Sequence, residues 1–152
     1  MALIILYMLE PDNAVIATYQ PLDDSLIPDA IANVIPAGSD YVVVDETTLP
    51  DAFYENAWAS FDTDGNITID MTLAKQIFQN KLNEAISLEL QDLNAQYVIA
   101  AANRDLATMA ALQTQKTSWY GYVATIPFDT ITTISEVDSY WPSTLERPTD
   151  GY

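Results

Sequence analysis

The 152-residue sequence predicts an α+β protein: a small β-rich N-terminal unit, then a helical hairpin and a short C-terminal helix. Two changes at one position carry that expectation. Residues 1–70 hold 13 Asp and Glu and no Lys or Arg, whereas residues 71–152 hold nine acids against all five bases. The hydrophobic period changes at the same place, from short alternating runs to the 3.6-residue repeat of a helix. The boundary is therefore drawn at Asp70, giving an acidic unit 1–70 and a helical unit 71–152.

Leu3 to Leu9 and Ala14 to Tyr19 are rich in β-formers and flank Glu10-Pro11-Asp12-Asn13, so the chain is expected to double back as a hairpin. The apolar opening Ala2 to Leu9 lacks a basic leader and a small-residue cleavage site, and reads as a strand rather than a signal peptide. Pro28 to Val34 fits one short helix stopped by Pro36-Ala37-Gly38. Tyr41 to Val44 reads as a buried strand, and Leu49-Pro50-Asp51 begins a short helical or turn segment through Tyr54. Ala57 to Phe61 and Asn66 to Ile69 flank Asp62-Thr63-Asp64-Gly65, where Asp-Gly favours a tight hairpin.

From Met71 no Gly or Pro occurs until Gly121, and Ala, Leu, Gln, Asn and Glu dominate. Asp70 is placed to cap this helix. An apolar stripe runs through Ala74, Ile77, Phe78, Leu82, Ala85, Ile86, Leu93 and Tyr97. Asn103-Arg104-Asp105 interrupts it: Asn suits a helix end and Asp caps the next helix, which carries Leu106, Met109, Ala110 and Leu112 to Ser118. Two helices joined so closely are expected to pack antiparallel. Thr133-Ile134-Ser135-Glu136 fits a capping box opening a helix to Trp141, stopped by Pro142.

Composition excludes more functions than it supports. A formal charge of -17 repels nucleic-acid backbone and anionic lipid, so neither is expected as a partner. No run approaches the ~20 apolar residues of a membrane span, which predicts a soluble chain. Without His or Cys there is no ordinary general base at neutral pH, no thiol nucleophile, no disulfide and no usual zinc site. Glycines at 38, 65, 121 and 151 are too scattered for a phosphate loop. No catalytic residue, metal or cofactor is assigned, and the protein is not expected to be an enzyme.

Three features remain as candidates. Ser60 to Met71 has the outline of a calcium loop, with Asp62, Asp64 and Gly65, but Met71 stands where the bidentate acid belongs, so a plain hairpin turn is the better reading. Asp23-Asp24 and Asp45-Glu46 read as turn and strand-end charges rather than as a hydrolytic pair. Trp119, Tyr120 and Tyr122 cluster around Gly121. They form either a plug beneath the helical hairpin or a partner-binding patch, since Trp and Tyr give large contact area at low entropy cost. Trp58 and Trp141 read as core. The acidic half is either a solvated surface or one matched to a basic partner.

The order Tyr41-Val42-Val43-Val44-Asp45, Leu49-Pro50, Phe53, Ala57-Trp58, Asp64-Gly65, Ile69-Asp70, Ala74-Lys75-Ile77, then a helical hairpin and Trp141-Pro142, resembles the phage tail-fibre assembly chaperone family. The resemblance covers roughly residues 41–142. It implies a chaperone that helps a trimeric fibre fold, or a structural subunit of the fibre or baseplate. It further implies a tail-fibre or baseplate protein as partner, oligomers set by the trimeric fibre, and a place in the host cytoplasm during assembly or in the virion tail. Two other classes stay open: an acidic mimic or inhibitor of a basic nucleic-acid-binding protein, and a carboxylate-based glycan hydrolase.

Overall fold

A computed structural model of the protein describes residues 2–10 and 15–149. It is α+β, with antiparallel sheets first, a long helical hairpin next and a short helix last. The chain divides into two compact units, one taking the residues up to Ala74 together with Thr149 and the other Lys75–Pro148.

In the first unit, β1 (Leu3–Glu10) is the centre of a three-stranded sheet of order β2-β1-β3, with β2 at Val15–Tyr19 and β3 at Tyr41–Asp45. Both pairings are antiparallel, setting Ile5 opposite Tyr19 on one side and Val43 on the other. Successive side chains of a strand face opposite ways, and both faces of β1 are covered. Ile4 and Leu6 pack with Val44, Trp58 and the hairpin residues Phe61, Ile67 and Ile69. Ile5 packs with Ala30, Ile35 and Ile31, which come from helix α1 (Ile27–Asn33) and the turn after it. Burial on both faces explains why β1 is a continuous apolar run instead of an alternating one. Of the turn expected at Glu10-Pro11-Asp12-Asn13, residues 11–13 lie outside the described residues.

After β3, Leu49-Pro50 leads into a 3-10 helix at Ala52–Ala57, whose first turn is fixed by Asp51 Oδ1 accepting from Phe53 N at 2.9 Å. This helix extends three residues beyond the expected end at Tyr54, and it buries Phe53, Tyr54 and Ala57. Strand β4 (Trp58–Phe61) therefore starts one residue late and pairs antiparallel with β5 (Ile67–Ile69).

The Asp62–Gly65 turn is held from within. Asp62 Oδ1 accepts from the N–H groups of Asp64 and Asn66, both at 2.9 Å, and Oδ2 accepts from Asn66 Nδ2 at 2.9 Å. These bonds, led by that from the Asn66 side chain, hold the Asp62 carboxyl below the ordinary aspartate range. Because the folded pKa lies below the unfolded one, the stabilisation is present above the ordinary value and is lost as pH falls through the folded one. Denaturation of Asp62→Ala beside the parent should show a stability gap that is constant near neutrality and closes on acidification. A gap that widens in acid would contradict this.

Helix α2 (Met71–Ala102) is capped by Asp70, whose Oδ1 accepts from Thr72 N at 2.8 Å and Leu73 N at 3.1 Å. Ala74, Phe78, Leu82, Ile86, Leu93 and Ala100 are its buried side chains, so the stripe runs as read from sequence and one turn further. Its C-terminus is a Schellman motif: Asp105 N donates to Ala100 O at 2.9 Å and Arg104 N to Ala101 O at 3.0 Å. The left-handed residue is Arg104, at φ 55, and not the neighbouring Asn103. An L side chain there costs ~1–2 kcal/mol, partly offset by a cation at the negative end of the helix. Helix α3 (Leu106–Trp119) then starts at Asp105, whose carboxylate accepts from Thr108 N at 3.0 Å and Thr108 Oγ1 at 2.6 Å. The two helices share a core of Leu93, Ala100 and Leu112, joined by Tyr97, Met109 and Trp119.

Helix α4 (Ile134–Asp138) opens with the expected capping box, Thr133 Oγ1 accepting from Glu136 N while Glu136 Oε2 accepts from Thr133 N. It stops three residues short of Trp141. There the bonds tighten to i−3, from Tyr140 N to Val137 O and Trp141 N to Asp138 O, and Trp141 Nε1 donates to Leu145 O at 3.0 Å. Arg147 closes the segment with an ion pair to Asp138 at 3.0 Å.

Candidate functional site

The three aromatics singled out as a possible contact patch differ in their contacts and exposure. Trp119 ends α3 and packs into the hairpin core. Gly121, at φ 80, turns the chain so that the Tyr122 ring comes back edge-on to Trp119, with centroids 5.7 Å apart and an interplanar angle of 75°. The Tyr122 hydroxyl donates to Tyr140 O at 3.0 Å, which fixes the ring. Tyr120 is 60% exposed and stands apart from this pair.

Trp119 and Tyr122 help line an open groove of about 590 Å³ in the helical unit. Its lining also includes the apolar Ile126 and Pro127, and the polar Gln79 and Asn83 of α2 and Asp129. Gln79 and Asn83 are one helical turn apart and exposed, so their amides offer both donors and acceptors along one edge. Such a lining, mostly apolar with a few polar groups and one carboxylate, suits an extended peptide or a side chain better than a charged small molecule. Sequence reading missed the polar part of the lining, Gln79, Asn83 and Asp129. The i, i+4 spacing of Gln79 and Asn83 was visible, but the segment 123–129 that faces them has no periodicity to mark it.

Several acidic side chains among the described residues serve their own turns and helix starts. Asp23 is held low by hydrogen bonds from Ser25, Asp45 by those from Thr47, Asp105 by those from Thr108, and Glu136 by the backbone N–H groups of Thr132 and Thr133. Each carboxylate is therefore committed to its own turn or helix start and stays ionised. A glycosidase acid needs the opposite, a carboxyl raised by burial. Asp23 and Asp45 sit as turn and strand-end charges, as their sequence contexts suggest, with Asp45 Oδ1 accepting from Thr47 N at 2.9 Å. Among the described residues no three acids gather as metal ligands.

No family model, curated protein or solved structure matches the chain.

Proposed function

We propose that the protein acts by protein–protein binding, as a phage tail-fibre assembly chaperone or a fibre- or baseplate-associated subunit, and that the groove beside Trp119 and Tyr122 receives the partner. The family half of this reading rests on the resemblance over residues 41–142. The observation that supports the binding half is the groove itself, which lies in the half of the chain with nine acids against five bases. Burying the other half would desolvate 13 acids in a stretch without Lys or Arg, a cost only a strongly basic partner would offset. Among the described residues no helix is long and apolar enough to cross a membrane.

Co-expression with a tail-fibre protein encoded by a neighbouring gene tests the proposal. The expected result is a marked rise in soluble trimeric fibre and recovery of the two chains together. Fibre that trimerises equally well alone, with no co-purification, would defeat the chaperone reading and the subunit reading alike. Recovery that disappears in moderate salt would instead favour the acidic mimic, because exposed charge pairs are screened within about a nanometre.

A further inference from the structure

The first unit has a pocket of its own, of about 290 Å³, whose lining includes the apolar Ile4, Leu49, Pro50 and Trp58 and the acidic Glu46 and Glu55. Trp58 is only 6% exposed, and its indole Nε1–H is buried without an acceptor among the described residues. The indole of Trp141, by contrast, donates to Leu145 O at 3.0 Å. Buried donors in folded proteins are nearly always paired, and an exception commonly marks a water, an ion or a ligand.

The two glutamates also differ from the aspartates around them. Asp23, Asp45, Asp51, Asp62 and Asp70 each accept from a backbone N–H of the turn or helix start that they head. Among the described residues neither the Glu46 nor the Glu55 carboxylate is committed in this way. The pocket therefore joins two uncommitted acceptors, one unpaired donor and an apolar surface.

That combination narrows the occupant. An ionised carboxylate only accepts and so asks for donors, whereas the indole N–H asks for an acceptor. A guanidinium or ammonium offers donors alone. An anion offers acceptors but would meet two carboxylates in a 70-residue stretch without Lys or Arg. A hydroxyl does both, and Ile4, Leu49 and Pro50 favour C–H surface beside it. The volume lies at the small end for ligand sites, the size of one ring. We propose that this pocket binds a neutral polyhydroxyl ligand, a single sugar ring. Two of its hydroxyls donate to Glu46 and Glu55, Trp58 turns its Nε1–H to a third oxygen, and the C–H face of the ring lies on Leu49 and Pro50. The site uses no residue of the groove beside Trp119, and the two proposals stand or fall separately.

The three tryptophans give three indole N–H signals in the nitrogen-15 correlation spectrum of the full chain. Glucose, galactose, mannose and N-acetylglucosamine, each titrated into the millimolar range, are the probes, with free arginine as the cationic control. At least one sugar should move the assigned Trp58 indole signal downfield, as a newly formed hydrogen bond does, and leave those of Trp119 and Trp141 in place. Added salt should not change that affinity, because the ligand is uncharged. Glu46→Ala and Glu55→Ala should each weaken binding by about tenfold or more, with the remaining backbone signals showing an intact fold. A Trp58 signal that none of the four sugars moves, one that arginine alone moves, or sugar binding indifferent to both glutamate changes would each overturn the proposal.

Discussion

Phe78→Ala is expected to cost the protein about 3–5 kcal/mol, the usual range for a fully buried Phe cut back to a methyl. Phe78 has no exposed surface and meets Trp141 edge-on at 5.6 Å and 85°, and Phe128 at 6.3 Å and 67°. Each such ring contact adds ~0.5–1.5 kcal/mol beyond area burial, and both vanish together. The three rings tie the C-terminal segment to α2, which is why no other single side chain in this unit is expected to matter as much. Denaturant unfolding followed by Trp fluorescence measures the loss, and Phe78→Leu should recover the volume but not the ring contacts. A loss under ~1.5 kcal/mol for the alanine would show that the cluster closes around the gap.

Gly65→Ala should destabilise by roughly 2–5 kcal/mol, from two separable causes. Gly65 sits at φ 83, where a side chain costs ~1–2 kcal/mol whatever surrounds it. A Cβ there would also collide with Cγ1 of Val44, itself buried with Ile4, Leu6 and Trp58, adding an overpacking cost of ~1–3 kcal/mol. Gly38, at φ 88 with nothing within 4 Å of where its Cβ would be, isolates the first cause, so Gly38→Ala should cost only that part. In a Val44→Ala background the penalty at Gly65 should fall toward the Gly38 figure, a coupling that a double-mutant cycle reads directly. Equal penalties at the two glycines would remove the steric explanation.

The parts of the fold legible in the sequence are those written in neighbouring residues. Asp-Gly at 64–65, the Asp70 and Asp105 caps and the Thr133–Glu136 box each depend on side chains within four positions of the group they bond. What escaped depends on distant residues or on competition between neighbours. Val44 pressing on Gly65 joins positions 21 apart. Arg104 takes the left-handed place because Asn103 remains inside the closing turn. Trp141 leaves α4 because Leu145 O offers its indole a partner. The aromatic cluster was legible as a group but not as a division of roles: Trp119 and Tyr122 face the groove while Tyr120 does not, a distinction made by the Gly121 turn.

That division also decides how the binding proposal is best tested. Trp119 and Tyr122 carry structure as well as surface, so their removal confounds binding with folding. Asn83 is exposed on α2 and lines the groove, so Asn83→Arg puts a bulky charge into the groove from an exposed position. Calorimetric titration of a tail-fibre fragment should therefore show Asn83→Arg binding at least about tenfold more weakly, a change of ~1.4 kcal/mol or more. The combined change of Asp23, Asp24 and Asp29 to Asn should leave the affinity within about twofold, and added salt should shift it little. Full affinity in Asn83→Arg, together with loss in the neutralised variant, would place the interface on the acidic half and contradict the account.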